Sequence, residues 1–225
     1  MSIYVYAILF SSTKELDFPQ GIQGRVEMIS YGNIAVIIER DILIQNLQKT
    51  EDILLKAIVT HDQVIQSIFS QVSLLPLRFG TGFTSLDSLL ENLKNNQSQY
   101  NQKLHKLTNC VEYCIKFIPL DFKINKAKDL DLKGKSYLLA KKKNYQLQQE
   151  FISNQENQWK AIKESISQEF ADNILIQEQE AIKQIFLLEK QQNNIDILIN
   201  SWQQKAPNWQ ITTSLPLPCY HFANV

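Results

Sequence analysis

The chain has 225 residues, 44% of them hydrophobic, with 23 basic and 23 acidic side chains and a formal net charge of zero. That length supports one large or two small domains with real cores, and balanced charge argues against a protein held to nucleic acid by bulk electrostatics. No apolar run reaches the roughly 20 residues of a membrane-spanning helix, and the N-terminus lacks the basic-then-apolar pattern of a secretory signal. A cytoplasmic protein with no membrane partner is therefore expected.

Ile3 to Phe10 is apolar and β-prone and predicts a buried strand. Ser11 to Gly21 is polar, with Pro19, and predicts a loop. Gly24–Ser30 and Asn33–Arg40 are β-rich runs around Tyr31-Gly32-Asn33 and predict a hairpin. Thr50 is placed to cap a helix whose first turn carries Glu51 and Asp52, both favourable at the positive end of the helix dipole. Its apolar stripe is expected to hold Ile53, Leu54, Ala57, Ile58, His61, Val64, Ile65, Ile68 and Phe69. A lone His on such a stripe is ordinarily a satisfied core residue rather than a ligand.

Leu74 to Phe83 joins that helix to the next. Pro76 lacks an amide donor and biases Leu75 to an extended conformation, while Gly80 and Gly82 permit a tight turn or close approach. Arg78, between Leu77 and Phe79, is either a structural cation holding carboxylates or carbonyls or a recognition residue on an exposed turn. Thr84-Ser85-Leu86-Asp87 resembles a helix start. Leu86, Leu89, Leu90, Leu93, Tyr100, Leu104 and Leu107 continue one face, and the polar Asn95–Gln99 segment is expected to kink or fray the helix.

Val111, Tyr113, Ile115 and Phe117 alternate with Glu112, Cys114 and Lys116, the period of a strand, which Pro119 ends. Asp121 to Lys133 reads as a loop or short helix. Gly134 to about Phe170 reads as one long helix burying Leu147, Phe151, Trp159, Ile162, Ile166 and Phe170. Ile174–Gln179 and Ile182–Lys190 predict strands, Ile195 to Trp202 a short helix ended by Pro207, and Trp209–Thr213 a last strand. The order from Val111 is β-α-β-β-α-β, that of a ferredoxin-like domain. The fold class is thus α+β: an N-terminal α+β domain over 1–109, a ferredoxin-like domain over 110–213 and an extended tail over 214–225. Pro216 and Pro218 keep that tail out of a sheet, and its Leu215, Leu217, Tyr220 and Phe222 are expected to dock on the protein or on a partner.

Cys110 and Cys114 would lie about 13 Å apart along their strand, beyond the Cα separation of about 7 Å that a disulfide tolerates. Cys219 stands alone, and His61, His105 and His221 lack metal-ligand spacing, so no metal or cofactor is expected. The sequence has no phosphate-binding glycine loop, dinucleotide fingerprint, zinc-protease motif or nucleophile elbow, and no enzyme is expected. An RNA-binding sheet is the alternative. It would need exposed aromatics on central strands, whereas Tyr113, Phe117 and Phe186 also suit a sheet–helix interface.

The segment Leu75-Pro76-Leu77-Arg78-Phe79-Gly80-Thr81, with His61 upstream, resembles the hallmark of the gas vesicle protein F/L family. Ile3–Ile8 resembles that family's opening strand, Val111–Lys116 its central strand and Gly134–Leu139 the start of its long helix. Pro216, Pro218, Tyr220 and Phe222 match its tail, while Leu215, Leu217 and Cys219 replace a Gly, a Trp and a Pro. The resemblance implies a minor structural or assembly protein of gas vesicles, hollow buoyancy compartments with a protein shell. It implies the small hydrophobic shell protein as partner, with other gas vesicle accessory proteins, no nucleic acid, and a shell-associated place in the cytoplasm. Arg78, Phe79, Phe83 and Tyr31 are the candidate partner-binding residues. His61, Pro216, Tyr220 and Phe222 are the candidate structural and tail-docking residues.

Overall fold

The computed structural model describes residues 2–12, 15–123, 134–179 and 181–223. The chain begins with strand β1 (Ile3–Phe10), the hairpin β2 (Val26–Tyr31) and β3 (Ile34–Arg40), and the short helix α1 (Ile44–Leu47). Helix α2 (Glu51–Phe69), the two-residue strands β4 (Leu75–Pro76) and β5 (Gly82–Phe83), and helix α3 (Leu86–Leu107) follow. Then come β6 (Cys110–Pro119), α4 (Lys135–Phe170), a 3-10 turn at Ala171–Asn173, β7 (Ile174–Gln179), β8 (Ile182–Lys190), α5 (Ile195–Lys205), β9 (Trp209–Thr213) and α6 (Tyr220–Ala223). Among the described residues this is an α+β protein of two antiparallel sheets and six helices. Two compact units divide the chain, one of Met1–Glu112, Leu188–Gln191 and Pro216–Val225, the other of Tyr113–Leu187 and Gln192–Leu215.

In the first unit the sheet runs β2-β3-β1-β4, with β5 also paired to β1. Successive strand side chains face opposite ways, and here each face meets a helix. Ile3, Val5, Ile8, Val36 and Ile38 pack with Leu89, Leu93, Tyr100 and Leu104 of α3. Tyr4, Tyr6, Leu9 and Ile37 pack with Ala57, Val64, Ile65 and Ile68 of α2. A strand covered on both faces reads as an unbroken apolar run, and each fully buried Ile, Leu or Val contributes about 1.5–3 kcal/mol. The β1–β3 register shifts between Val5 and Ala7, a bulge that puts Tyr6 and Ala7 on the same side, toward α2.

The local signals hold where backbone chemistry decides. The hairpin loop is Gly32-Asn33, with Gly32 at φ +59°, the glycine that a II′ turn places first. Thr50 Oγ1 accepts the Ile53 N–H. For α3 the cap is Ser85, not Thr84: its hydroxyl accepts the Ser88 N–H and the Ser88 hydroxyl accepts the Ser85 N–H. The helix then runs unbroken through Asn95–Gln99.

The exact composition of the helix stripes departs from expectation. On α2, Ile53 and Ile58 are exposed, because the buried strip is the narrower set Ala57, His61, Val64, Ile65 and Ile68. On α4 only Trp159, Ile162 and Ile166 are buried, and Leu147 is exposed along with Tyr137, Leu138, Leu139 and Tyr145 in the first half. The residues expected as a loop or short helix at 121–133 lie outside the described residues from position 124 on.

The second sheet runs β7-β8-β6-β9. In the second unit Phe117 meets Trp159, Trp202 and Trp209, with ring centroids 5.3, 6.3 and 6.5 Å away. The Trp209 indole donates to the Gln155 carbonyl at 2.9 Å, satisfying the one polar group of a buried ring.

Candidate functional site

Pro76 sits on β4 at the sheet edge, where its missing donor costs no ladder bond. The chain then leaves the edge and returns to it as β5. Arg78 to Thr81 is the turn between them: the Arg78 carbonyl accepts from the Thr81 N–H at 3.1 Å and from the Thr81 hydroxyl at 2.7 Å. Gly80 has φ +86° at the third position, where a type II turn calls for glycine. On either side the turn is stitched to β1, Leu77 N–H to the Tyr6 carbonyl at 2.9 Å and Val5 N–H to the Thr81 carbonyl at 3.0 Å.

His61 of α2 holds the turn from beneath. It is 5% exposed, its Nε2 is 3.1 Å from the Leu77 carbonyl and its Nδ1 is 2.9 Å from the Tyr4 hydroxyl. A carbonyl only accepts, so Nε2 carries the proton, and Nδ1 accepts from Tyr4. The Tyr4 oxygen in turn accepts the Gly80 N–H at 3.2 Å. One imidazole therefore fixes both Leu77 and Gly80, the residues flanking Arg78 and Phe79. Burial lowers the His61 pKa from 6.5 to about 4, against the opposing Leu77 contact, and pushes the Tyr4 hydroxyl up to about 12. The ring stacks on Tyr6 at 5.3 Å and meets Phe79 edge-on at 5.7 Å.

Next to it, Glu39 is 1% exposed yet fully paired. Its carboxylate accepts from the Tyr6 hydroxyl at 2.5 Å, from Ile22 and Gln23 N–H at 2.7 Å each, and from Gly24 N–H. Such a nest of amides is what makes a buried carboxylate tolerable. Burial, and then the bond to Glu39, raise the Tyr6 pKa.

Arg78 itself is exposed, and among the described residues no carboxylate or carbonyl pairs with its guanidinium. It stands on the rim of two hollows. One, of about 210 Å³, lies toward α3 and is lined by Val5, Leu77, Phe83, Leu89 and Tyr100. The other, of about 610 Å³, lies toward α2 and is lined by Ile58, Val59, His61, Leu77, Phe79 and Tyr220. Phe79 and Phe83 are half-buried on opposite faces of the sheet. Tyr31 lies on β2, at the other edge of that sheet, and lines neither hollow. The four candidate partner-binding residues thus do not form one cluster.

The tail departs from a fully extended course. Leu217, the residue between the two prolines, keeps both its groups free and exchanges hydrogen bonds of 2.9 Å with Glu112 in an isolated antiparallel bridge. Tyr220–Ala223 is a helical turn. Glu112, which alternates with the apolar residues of β6, is 1% exposed and takes the His221 N–H at 2.8 Å and His221 Nδ1 at 2.6 Å. Burial raises the Glu112 pKa, with His221 opposing. The Tyr220 hydroxyl donates to Asp62, and Phe222 packs with the α3-side core. The docked proline is Pro218 rather than Pro216, which is exposed, and Leu215 is 83% exposed.

Tyr113, Phe117 and Phe186 are buried, so they offer bases no stacking platform. Among the described residues no group of three or more His, Cys, Asp or Glu side chains is placed to hold a metal, and no helix is long and apolar enough to cross a membrane.

Residues 2–224 match the family described as Gas vesicle synthesis protein GvpL/GvpF. The chain belongs to that family. Two solved structures share its fold: the gas vesicle protein GvpF from Anabaena sp. PCC7120 and that from Microcystis aeruginosa. The first is 17% identical with a TM-score of 0.68, covering 100% of this chain and 96% of that one. The second is 15% identical with a TM-score of 0.67, covering 100% and 99%. No protein of curated function matches the sequence. Membership of the GvpL/GvpF family makes this a gas vesicle protein, of a family concerned with vesicle synthesis rather than a known enzyme family.

Sequence reasoning singled out Arg78 and His61 but missed what surrounds them. The signals were present: Glu39 is a lone carboxylate in an apolar strand, and Ile58-Val59 adds an apolar residue that the α2 stripe does not need.

Proposed function

We propose that this chain is a non-catalytic accessory or minor structural protein of gas vesicles that contacts the small hydrophobic shell protein and assists nucleation, keeping that protein from aggregating. The observation that carries this reading is the GvpL/GvpF match over residues 2–224. Other gas vesicle accessory proteins are further partners, and the working place is at the vesicle shell. In this reading 1–109 is the partner-binding domain, 110–213 is a ferredoxin-like domain and 214–225 is the docking tail. The order β6-α4-β7-β8-α5-β9 and the strand order β7-β8-β6-β9 support the ferredoxin-like assignment.

Binding an apolar subunit calls for an apolar surface on an otherwise polar protein. Phe79, with Arg78 beside it on a turn whose backbone is already fixed and so loses little freedom on binding, supplies one on the α2 side of the sheet, and Phe83 a separate one on the α3 side. The test is light scattering of the shell protein diluted from denaturant with and without the full-length chain. Suppressed scattering at near-equimolar chain supports the reading; unchanged scattering overturns it.

A further inference from the structure

Helix α2 carries an apolar strip that the fold does not use. Leu55, Ile58 and Val59 are 61%, 41% and 47% exposed, and their i, i+3, i+4 spacing puts them on one outward face. Ile58 and Val59 continue into the hollow of about 610 Å³, which Leu77 and Phe79 also line.

The charges around the hollow are unequally committed. Asp62 accepts from Tyr220 and from Gln66 Nε2 at 2.7 Å. Glu112 is engaged by His221. Arg78, on the same rim, has no partner among the described residues. Its planar fork matches a carboxylate with two parallel hydrogen bonds. The His61 and Tyr4 bonds to Leu77 and Gly80 hold the main chain on either side of it, so an incoming group meets a fixed backbone.

We propose that this hollow seats an apolar segment of a partner protein that also carries a carboxylate, its apolar side chains on Ile58, Val59 and Phe79 and its carboxylate on Arg78. The inference rests on the reading that the chain binds the shell protein, and it narrows the contact to the α2 side of the Arg78 turn. Phe83, on the α3 side, and Tyr31, on the far edge, lie outside the contact.

The experiment uses the full-length chain co-expressed with the shell protein. A photo-crosslinking amino acid replaces Val59 in one variant and Tyr31 in another. Crosslinking from position 59 alone, onto a shell-protein peptide containing Asp or Glu, is the expected result. Arg78→Glu lowers recovery of shell protein at least about tenfold, since like charges face each other, and exchanging that partner carboxylate for Lys restores it. Arg78 and Val59 are exposed, so these variants keep the wild-type melting temperature. Crosslinking from position 31 instead, or full recovery with Arg78→Glu, overturns the proposed site and leaves the shell-protein reading standing. If the unaltered chain recovers no shell protein, both fall together.

Discussion

Replacing His61 with Phe keeps a ring between Tyr6 and Phe79 while removing both imidazole hydrogen bonds. The Leu77 carbonyl then loses its partner on α2, and the Tyr4 hydroxyl keeps the Gly80 N–H but has no acceptor for its own proton. Each buried group left unmatched costs about 1–3 kcal/mol, offset in part by the more apolar ring, for a net loss of about 2–4 kcal/mol near neutral pH. Acid changes the comparison. Between its unfolded pKa of 6.5 and its folded value of about 4, His61 binds a proton in the unfolded chain but not in the folded one. Native stability from this group therefore falls as pH drops through that window, by a total that approaches about 3 kcal/mol. The Phe variant has no such loss, so the two proteins converge as pH approaches about 4. Urea denaturation followed by circular dichroism, across this range, measures both effects. A gap that stays constant with pH, or a Phe variant as stable as the wild type at neutral pH, refutes the neutral, two-bond imidazole.

Three further outcomes follow from single contacts. Gly21→Ala would drive its Cβ into the Glu39 carboxylate and disturb the nest, lowering stability by about 2–4 kcal/mol in thermal denaturation; a loss under about 1 kcal/mol contradicts the nest as drawn. Tyr220→Phe removes a donor to Asp62, worth about 1.5–3 kcal/mol for a charged acceptor, and speeds hydrogen exchange at the Leu217 amide; unchanged exchange there argues that Tyr220 does not anchor the tail. Glu178→Gln, which breaks half-exposed pairs with Lys163 and Lys183, shifts stability by less than about 1 kcal/mol, and a larger loss would mean that this surface pair is shielded from water.

What the sequence revealed depended on the range of the physics involved. The β1 run, the Gly32 turn and the Thr50 cap are decided within a few residues, and each was readable. Ile53, Ile58 and Leu147 satisfy helical periodicity but are exposed, because periodicity gives a face and not how far the facing element extends. Glu112 alternates with the apolar residues of β6, and only the tail returning through Leu217 and His221 buries it. The double role of His61, to Leu77 sixteen residues on and Tyr4 fifty-seven residues back, is a tertiary fact with no local signature. Arg78 was readable as an anomaly; that its cation is unspent required the surrounding chain.

The most direct test of the central claim is co-elution of the shell protein with the tagged full-length chain after co-expression, at low and at high salt. The account predicts a complex of fixed ratio that largely survives salt, because apolar contact supplies most of the binding, and that Arg78→Glu weakens. A shell protein absent from the eluate at either salt contradicts it.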